Sequence, residues 1–391
     1  MKNTTDLKEL RAEINSIDSQ LLDLLMQRRE ISKNVIQAKD LNDLPIRDEK
    51  REKEILEQLI FTGKEKGLSE EYIKKIFYEI IEDSVHLQQT FVQRRLNKKD
   101  KDSNRIKVAI QGIEGAYSYL AAKQFFHDYD EEIEIVSEER FEEVARRVEK
   151  GEADYAMLPV ENTTSGGINE VYDVLLHTTL SIIGEEKFKV NHCLCAVEDV
   201  PLKEVKLIFA HHQAAAQCSK FISSLEDAKV EYFADTAMSV QKIKEENNKN
   251  YGAIASREAA ELFGVKILKT DIANQSENYT RFLVCARKPI SVDPRVSSKT
   301  SIVFATSHTV GSLVEGLMVF RKYNINLTKL ESRPIIGNPW EQMFYVDFEG
   351  CVESEKVRKA LDEIIPFTRF MKVLGSYPTK ELPKVKVVKE S

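Results

Sequence analysis

The residues of the first segment most able to do chemistry are cations placed inside an apolar helical pattern. Apolar residues recur at heptad spacing, at Leu7, Leu10, Ile14, Ile17, Leu21, Leu24, Ile31 and Val35. Arg28 takes the position at which this stripe should continue. An arginine on a packed stripe is costly unless an anion meets it, although it could instead extend into solvent. Lys39 lies eleven residues further on, about 16 Å along the same face.

Polar side chains also recur at helical spacing on two further predicted helices. Asp48, Arg51 and Glu52 stand at i, i+3 and i+4 on the second helix, and Ser84 and Gln88 stand at i and i+4 on the third. These residues and the two cations come from three helices that otherwise bury leucine and isoleucine. The pattern predicts a site for a small dianion.

Four polar motifs, at residues 112–118, 159–167, 253–260 and 278–282, adjoin short apolar strands in the middle of the chain. Polar loops at the carboxyl ends of strands are where open α/β sheets bind ligands. Gly112 and Gly115 could bring backbone N–H groups to an anion, although a tight turn is the commoner role of such glycines.

Bulk composition excludes several classes of protein. The chain has 391 residues and a net charge of −7, which argues against nucleic acid as a partner. No apolar run approaches the roughly 20 residues that span a bilayer, and the N-terminus lacks a signal-peptide core, so we expect a cytoplasmic protein. Five irregularly spaced cysteines suit a reducing compartment. The cluster at residues 192–195 indicates a buried strand, so we expect no metal and no cofactor.

Three segments differ in their patterns, and charged or proline-containing joints separate them. Residues 1–93 are predicted to be helical, residues 105–287 alternate short strands with helices, and residues 299–379 follow the order strand, helix, strand, strand, helix, strand. Residues 94–104 and 288–298 are predicted linkers, and residues 380–391 form a lysine-rich tail.

The helical segment resembles the all-helical chorismate mutases over about ninety residues. It matches that family at Arg11, Arg28, Lys39, Asp48, Arg51, Glu52, Ser84 and Gln88. The resemblance implies that these residues clamp chorismate while it rearranges to prephenate. Lys39 and Gln88 would donate to the breaking ether oxygen, and Arg28 would hold a carboxylate. Asp48 or Glu52 would hold the ring hydroxyl.

The position of Arg11 predicts an oligomer. Arg11 precedes Arg28 by seventeen residues, about 25 Å along one straight helix and about 100° around it. Two side chains of about 7 Å and a small ligand cannot close that distance. If Arg11 serves the same site, it must come from another chain. An intertwined homodimer follows, as the resemblance also implies, and higher association stays open.

The middle segment resembles prephenate dehydratase across about 180 residues. The motifs that carry the likeness are Glu161-Asn162-Thr163 and Thr280-Arg281-Phe282. The resemblance implies two α/β lobes that close over prephenate, which loses its ring hydroxyl and carbon dioxide. Thr280 would hydrogen-bond the leaving hydroxyl, and Glu161 could supply a proton if burial raised its pKa. Arg281 either binds a substrate carboxylate or fixes a loop carboxylate.

One loop departs from the pattern of that family, which often carries Ser-His-Pro-Gln-Pro before a helix with Gln-Cys. Here Ala210 replaces the serine and His212 replaces the first proline, while Gln217 keeps the match. His211 and His212 are expected to be loop residues rather than acid–base groups.

The last segment resembles the ACT regulatory domains attached to prephenate dehydratases. The matching positions are Gly311, Leu313, Val314, Glu331, Ser332, Arg333 and Pro334, with Ser312 in place of the commoner alanine. Backbone N–H groups at a helix start suit a carboxylate, and Glu331 suits an ammonium group. The resemblance therefore names phenylalanine as effector. The alternative is that both motifs only seal a dimer interface.

The sequence thus predicts a multidomain chain with an all-α three-helix mutase domain, a two-lobed α/β dehydratase domain and an α+β ACT domain of order βαββαβ. The expected function is a bifunctional enzyme of phenylalanine biosynthesis that phenylalanine inhibits. One alternative is a non-catalytic amino-acid sensor, which the complete polar sets disfavour. The other is arogenate as second substrate, which the sequence does not exclude.

Overall fold

The fold comes from a computed structural model, which describes residues 7–41, 45–97, 105–129, 131–225, 227–306, 310–335 and 342–379. The chain forms two compact units. Within the described ranges, residues up to 97 and residues 291–297 make a helical unit, and the other residues make a second unit. Across those ranges no helix combines the length and apolar character needed to cross a bilayer.

Three helices build the helical unit. They are α1 (Leu7–Leu41), α2 (Glu49–Glu65) and α3 (Glu70–Leu96). The carboxylate of Asp48 accepts from the Arg51 amide at the start of α2, and the hydroxyl of Ser69 accepts from the Tyr72 amide at the start of α3. Such caps satisfy amides that have no partner within the helix. The predicted all-helical segment is therefore confirmed.

The apolar stripe of α1 is exposed in a single chain. Ile17 is 57% exposed and Leu24 is 60% exposed, whereas Ile36 and Leu56 are fully buried. Only the carboxyl-terminal part of α1 thus packs into the core of its own unit. The rest presents a row of leucine and isoleucine to the surroundings, far more than an isolated surface helix normally shows.

Parts of both predicted linkers belong to the helical unit. Helix α3 continues through Leu96, and residues 98–104 lie outside the described residues, as does the predicted tail at 380–391. Residues 291–297 belong to the helical unit. The Asn97 amide donates to the Ser291 carbonyl at 2.9 Å and accepts from the Ser291 N–H at 3.0 Å.

The described residues of the second unit up to 290 form eleven strands and seven α-helices. The strands are β1 (Arg105–Gln111), β2 (Glu132–Glu138), β3 (Tyr155–Asn162), β4 (Gly166–Gly167), β5 (Ser181–Lys189), β6 (Cys193–Ala196), β7 (Leu207–His211), β8 (Lys229–Phe233), β9 (Tyr251–Ala255), β10 (Lys266–Lys269) and β11 (Tyr279–Ala286). The helices are α4 (Tyr117–Phe125), α5 (Phe141–Glu149), α6 (Asn169–His177), α7 (His212–Gln217), α8 (Ser219–Ser223), α9 (Thr236–Glu246) and α10 (Arg257–Phe263).

These strands form two sheets, one for each lobe. The first sheet has the order β2-β1-β3-β11-β5, and the second has the order β10-β6-β9-β7-β8. The chain leaves the first sheet after β5, builds the whole second sheet, and returns as β11 between β3 and β5. The Val190 N–H donates to the Asn278 carbonyl at 2.8 Å, so the two crossings lie side by side. The two-lobed α/β arrangement is confirmed.

The third sheet completes the second unit. Its elements are β12 (Ser298–Thr306), α11 (Ser312–Lys322), β13 (Leu327–Pro334), β14 (Gln342–Glu349), α12 (Glu355–Ile364) and β15 (Thr368–Pro378), with the strand order β13-β14-β12-β15. The predicted βαββαβ order is therefore that of the structure. Strand β15 packs on β5 so closely that a Cβ on Gly375 would lie 2.2 Å from the Ile182 carbonyl oxygen.

Candidate active sites

Arg28 in the helical unit turns toward helix α3 rather than into solvent. Its guanidinium donates to the Ile80 carbonyl at 3.0 Å and to the Ser84 hydroxyl. Lys39 donates to the Ile46 carbonyl at 2.6 Å, just before α2. The two cations therefore bind neutral oxygens of neighbouring segments. This geometry disfavours the interpretation that Arg28 simply extends into water.

The electrostatic state of these cations suits an anionic ligand. Burial lowers the pKa of Arg28, and Asp83 offsets this only in part. Burial also lowers the pKa of Lys39, against the opposing effect of Asp48 and Glu52. A lowered pKa on a cation means that burial costs more than the nearby anions return. A bound dianion would supply the missing charge.

Glu52 and Arg47 form an ion pair beside this cluster. Glu52 is buried, and it accepts from Arg47 at 2.9 Å. Arg47 also pairs with Glu82 of α3 at 2.9 Å. Burial is the main reason that the pKa of Glu52 is raised, although Arg47 opposes it. Arg47 was not predicted from the sequence, because its two partners lie on different helices.

The other residues of the predicted mutase site are spread more widely in one chain. Gln88 is buried, and its Oε1 accepts no hydrogen bond from the described residues. Arg51 is exposed and lies 3.5 Å from Glu54. Arg11 is exposed on α1, which is one continuous helix through Arg28. A single chain therefore gathers part of the set and leaves Arg11 pointing elsewhere.

Asn162 and Thr280 lie opposite each other where β3 and β11 pair at the mouth of the first sheet. The side chain of Asn162 accepts from the backbone N–H groups of Thr164 and Ser165, which fixes its oxygen end. Its nitrogen therefore donates, and it reaches the Thr280 hydroxyl oxygen at 3.0 Å. Because Thr280 is the acceptor in this bond, its own O–H stays available as a donor.

Gln217 joins the two lobes at this position. Its nitrogen donates to Asn162 at 3.2 Å and to Thr164 at 2.9 Å, while its oxygen accepts from Asn278 at 2.9 Å. A cleft of about 190 Å³ opens beside it. The lining residues, all uncharged, are Thr164, Ser165, Ala216, Gln217, Ala273, Asn274, Gln275 and Asn278. The arrangement offers hydroxyls and amides to a polar ligand.

Two residues behind Gln217 were missed by the sequence analysis. Buried His192 lies 2.9 Å from the Gln217 oxygen through Nε2 and 3.0 Å from the Tyr117 hydroxyl through Nδ1. Burial lowers the pKa of His192, which keeps the ring neutral. An amide oxygen only accepts, so Nε2 must carry the proton. The Tyr117 hydroxyl donates to the Asn191 carbonyl at 2.8 Å, and Nδ1 lies beside that same hydroxyl. The sequence showed only a histidine before an apolar run, which indicated a buried strand.

The first glycine motif already holds an anion of the chain itself. The Ile113 N–H donates to the Asp235 carboxylate at 3.1 Å. A Cβ on Gly112 would lie 2.0 Å from that carboxylate oxygen, so only glycine allows this approach. The anion at this loop is therefore a side chain of the second lobe.

Arg281 lies at the centre of a group of six charges, here called the ion network: Glu161, Glu185, Arg281, Lys299, Lys329 and Asp347. Glu161 and Lys329 are partly exposed, and the other four are buried. Arg281 is 7% exposed and donates to three carboxylates, including Glu185 at 3.1 Å and Asp347 at 2.7 Å. Of the two alternatives for Arg281, this geometry favours the one in which it fixes a loop carboxylate, that of Glu161.

Glu161 does not meet the condition that was set for it as a proton donor. Burial acts to raise the pKa of Glu161, but Arg281 and Lys329 outweigh burial and hold its pKa below the ordinary value. The condition for Glu161 to supply a proton is therefore not met, because the carboxylate stays ionised. Phe282 packs in the apolar core with Ile110 and Met157, and the Thr163 hydroxyl accepts from the Tyr279 N–H at 2.9 Å.

The candidate effector residues occupy two places in the third sheet and its helices. Gly311 adopts φ +88° at the start of α11, where glycine is favoured, and Val314 is exposed. On β13, Arg333 lies 3.2 Å from Asp173 of α6, and Glu331 lies against Gly167. The alternate residues of β13, Ser332 and Pro334, are exposed.

Comparisons with known proteins cover both units. The family model for prephenate dehydratase matches residues 108–290, and the family model for chorismate mutase type II matches residues 10–89. A bifunctional chorismate mutase/prephenate dehydratase of Escherichia coli (strain K12) is 42% identical over 385 residues, which cover 98% of this chain and 99% of that protein.

Two solved structures share the fold of the second unit. A prephenate dehydratase from Arthrobacter aurescens, in complex with L-Phe, is 28% identical with a TM-score of 0.63, and the match covers 70% of this chain and 90% of that one. A quorum-quenching acylase is 31% identical with a TM-score of 0.62, over 70% of this chain and 97% of that one.

We expect His211 to make stability depend on pH. Burial is the main reason that its pKa falls from 6.5 to about 4, with His212 adding to the effect. Between these values the unfolded chain binds a proton that the folded chain does not, so stability is full above pH 6.5 and declines as pH falls. His211→Gln should flatten this decline in urea unfolding between about pH 7 and about pH 4.5. The exposed His127→Gln is the control, and an unchanged pH dependence of the His211 variant would contradict the assignment.

Proposed function

The chain belongs to the family of bifunctional chorismate mutase/prephenate dehydratases, and we propose from its site geometry how its residues divide the two reactions. It is an enzyme of phenylalanine biosynthesis that rearranges chorismate to prephenate and then converts prephenate to phenylpyruvate. The mutase reaction is assigned to the helical unit and the dehydratase reaction to the cleft beside Gln217.

The mutase reaction needs no covalent intermediate and no proton transfer, so catalysis must come from binding. Holding chorismate in its compact conformer can contribute up to about 7–11 kcal/mol. Arg28 would hold a carboxylate, and Lys39 would stabilise negative charge on the ether oxygen as its bond breaks. The lowered pKa values of both cations support this assignment, because each gains most when an anion arrives. Gln88 would donate to the same oxygen at any pH.

The dehydratase reaction needs help for a departing hydroxide. The observation that carries our proposal is the hydrogen bond from Asn162 to the Thr280 oxygen, which leaves the Thr280 O–H to donate to the leaving group. As the carbon–carbon bond to the carboxylate breaks, its electron pair enters the ring and expels the hydroxide. The uncharged lining of the cleft does not hold the carboxylate with a cation, which favours its loss as neutral carbon dioxide.

The third sheet and its helices are proposed to be an ACT regulatory domain that binds phenylalanine. Backbone N–H groups at the start of α11 would receive the carboxylate, and Glu331 would receive the ammonium group. The dehydratase of Arthrobacter aurescens, whose structure is a complex with L-Phe, supports this choice of effector. We also infer a cytoplasmic location, since the substrates are small metabolites and the five cysteines are free thiols.

The exposed stripe of α1 supports an intertwined homodimer. A second copy of the chain would cover the leucines and isoleucines that a single helical unit leaves exposed. It would also bring Arg11 of one chain to the substrate site that Arg28 and Lys39 form in the other chain. The proposal therefore explains both the apolar stripe and the separation of Arg11 from Arg28.

Separate sites predict separable activities. Thr280→Ala should lose most dehydratase activity, roughly 100-fold or more in kcat, and keep mutase activity, because only the dehydratase uses that donor. Lys39→Ala should do the reverse. Both rates are measured on purified chains, with chorismate and with prephenate as separate substrates.

The controls preserve the chemistry at each position. Thr280→Ser keeps the hydroxyl and should keep part of the dehydratase activity. Equal loss of both activities in Thr280→Ala would contradict separate sites. If the unaltered chain turned over neither chorismate nor prephenate, an amino-acid sensor would be the remaining candidate function. Faster turnover of arogenate than of prephenate would change the second substrate and leave the site in place.

A shared mutase site predicts complementation between two inactive chains. Arg11→Ala and Lys39→Ala should each be inactive alone. After unfolding and refolding as a mixture, about a quarter of the mutase activity should return, since half of the dimers are mixed and each has one intact site. No recovery, in a mixture that sedimentation shows to be dimeric, would place Arg11 outside the site.

The effector assignment predicts a loss of inhibition. Phenylalanine should inhibit the dehydratase, and Glu331→Ala or Arg333→Ala should raise the half-inhibitory concentration at least about tenfold, because each removes a charged interaction. Glu349→Ala, an exposed carboxylate on the neighbouring strand β14, is the matched control. Full sensitivity in both test variants would remove the assignment.

A further inference from the structure

Two cross-strand pairs of opposite charge face each other where the third sheet meets the first. Glu161 and Arg281 are directly paired in the register of β3 and β11. Lys329 and Asp347 are directly paired in the register of β13 and β14. Lys329 contacts Glu161, and Asp347 contacts Arg281 at 2.7 Å. These four residues, here called the quartet, thus hold the two sheets together through two ion pairs, Lys329–Glu161 and Asp347–Arg281.

The residues next to this quartet carry the proposed chemistry. Thr280 and Asn162 are paired one step before Arg281 and Glu161 in the same two strands. Successive side chains of a strand point to opposite faces, so Thr280 and Asn162 point away from the third sheet while Arg281 and Glu161 face it. Asn162 contacts Gln217 and Thr164, which line the cleft. The register of β3 and β11 also shifts directly after Arg281. A bulge of this kind re-aims the side chains beside it.

We propose that Lys329 and Asp347 are positioning residues for the dehydratase reaction, because they fix the strand pair that holds Thr280 and Asn162 from the opposite face. Neither residue touches the cleft. Each acts through one partner, Lys329 through Glu161 and Asp347 through Arg281. The inference rests on the proposed assignment of the dehydratase reaction to Thr280.

Further ion pairs and hydrogen bonds surround the quartet. The remaining two charges of the ion network pair with each other, since Lys299 donates to Glu185 at 3.0 Å. Asp347 also accepts from the Ser301 hydroxyl at 2.6 Å, and Ser301 contacts the Tyr377 hydroxyl at 2.8 Å. Glu331 also lies 3.8 Å from Lys329. Without Lys329, Glu161 keeps one cationic partner, Arg281, and without Asp347, Arg281 keeps two carboxylates. Loss of either residue therefore weakens the ion network without leaving an unpaired charge.

The same strand that supplies Lys329 carries the proposed effector residues. Glu331 and Arg333 follow Lys329 at alternate positions of β13, so all three lie on one face of that strand. A shift of β13 on effector binding would therefore act directly on the Lys329–Glu161 contact. Effector binding would thus change the position of Thr280 through the quartet.

The test compares Lys329→Met and Asp347→Asn with a control at the same junction. Each test variant should lower dehydratase kcat about 10–100-fold with a smaller change in KM, because a displacement of about 1 Å at the reacting groups is enough. Lys372→Met is the control, since Lys372 donates to the carbonyls of Leu175, Leu176 and Thr178 and touches no member of the quartet. It should change kcat less than about threefold. Unfolding of the second unit is followed alongside in each variant.

A double variant checks the route of action. If Lys329 acts through Glu161, Lys329→Met added to Glu161→Gln should lower kcat no further than Glu161→Gln alone. Equal losses in Lys329→Met, Asp347→Asn and Lys372→Met would show docking only and overturn the inference. Unchanged kcat in both test variants would also overturn it. If Thr280→Ala kept its dehydratase activity, the proposed function of the site would fail instead.

Discussion

The second unit depends on the burial of Arg281 among three carboxylates. A guanidinium that is almost fully removed from water is stable only where anions replace its hydration. Glu161 comes from the first sheet, Glu185 from its edge strand, and Asp347 from the third sheet. One side chain of β11 therefore connects that strand to β3, β5 and β14. Thr280 is the residue that precedes it on the same strand.

Two arginines, Arg28 of the helical unit and Arg281 of the second unit, differ in how far nearby charges offset their burial. Burial lowers the pKa of Arg28, and its neighbours in the helical unit are mainly neutral oxygens. Arg281 has its pKa raised well above the ordinary value, because Asp347, Glu161 and Glu185 outweigh its burial. Arg28 suits an external anion, because the charges of its own chain do not offset its burial. Arg281 is already paired with carboxylates of its own chain.

Local spacing predicted the helices and strands, including the heptad stripe of α1. Asn162 and Thr280, whose side chains meet across 118 residues, were predicted through the family motifs to which they belong. Lys329 and Asp347 belong to neither motif, and their partners lie 168 and 66 residues away in other strands, so no local pattern revealed them. His192 was missed for a different reason. A neutral histidine in an apolar run gives no sign of the amide that it orients.

The order of the strands along the chain has a consequence for synthesis. Strand β11 fills the gap between β3 and β5, yet it leaves the ribosome about ninety residues after β5, once the whole second lobe has been made. Until then the facing edges of β3 and β5 have no strand between them, which leaves them open to wrong pairing. A nascent chain must therefore keep an incomplete sheet from misassembling while the inserted lobe folds. The strand that carries Thr280, the proposed donor to the leaving hydroxyl, is also the one that completes the sheet.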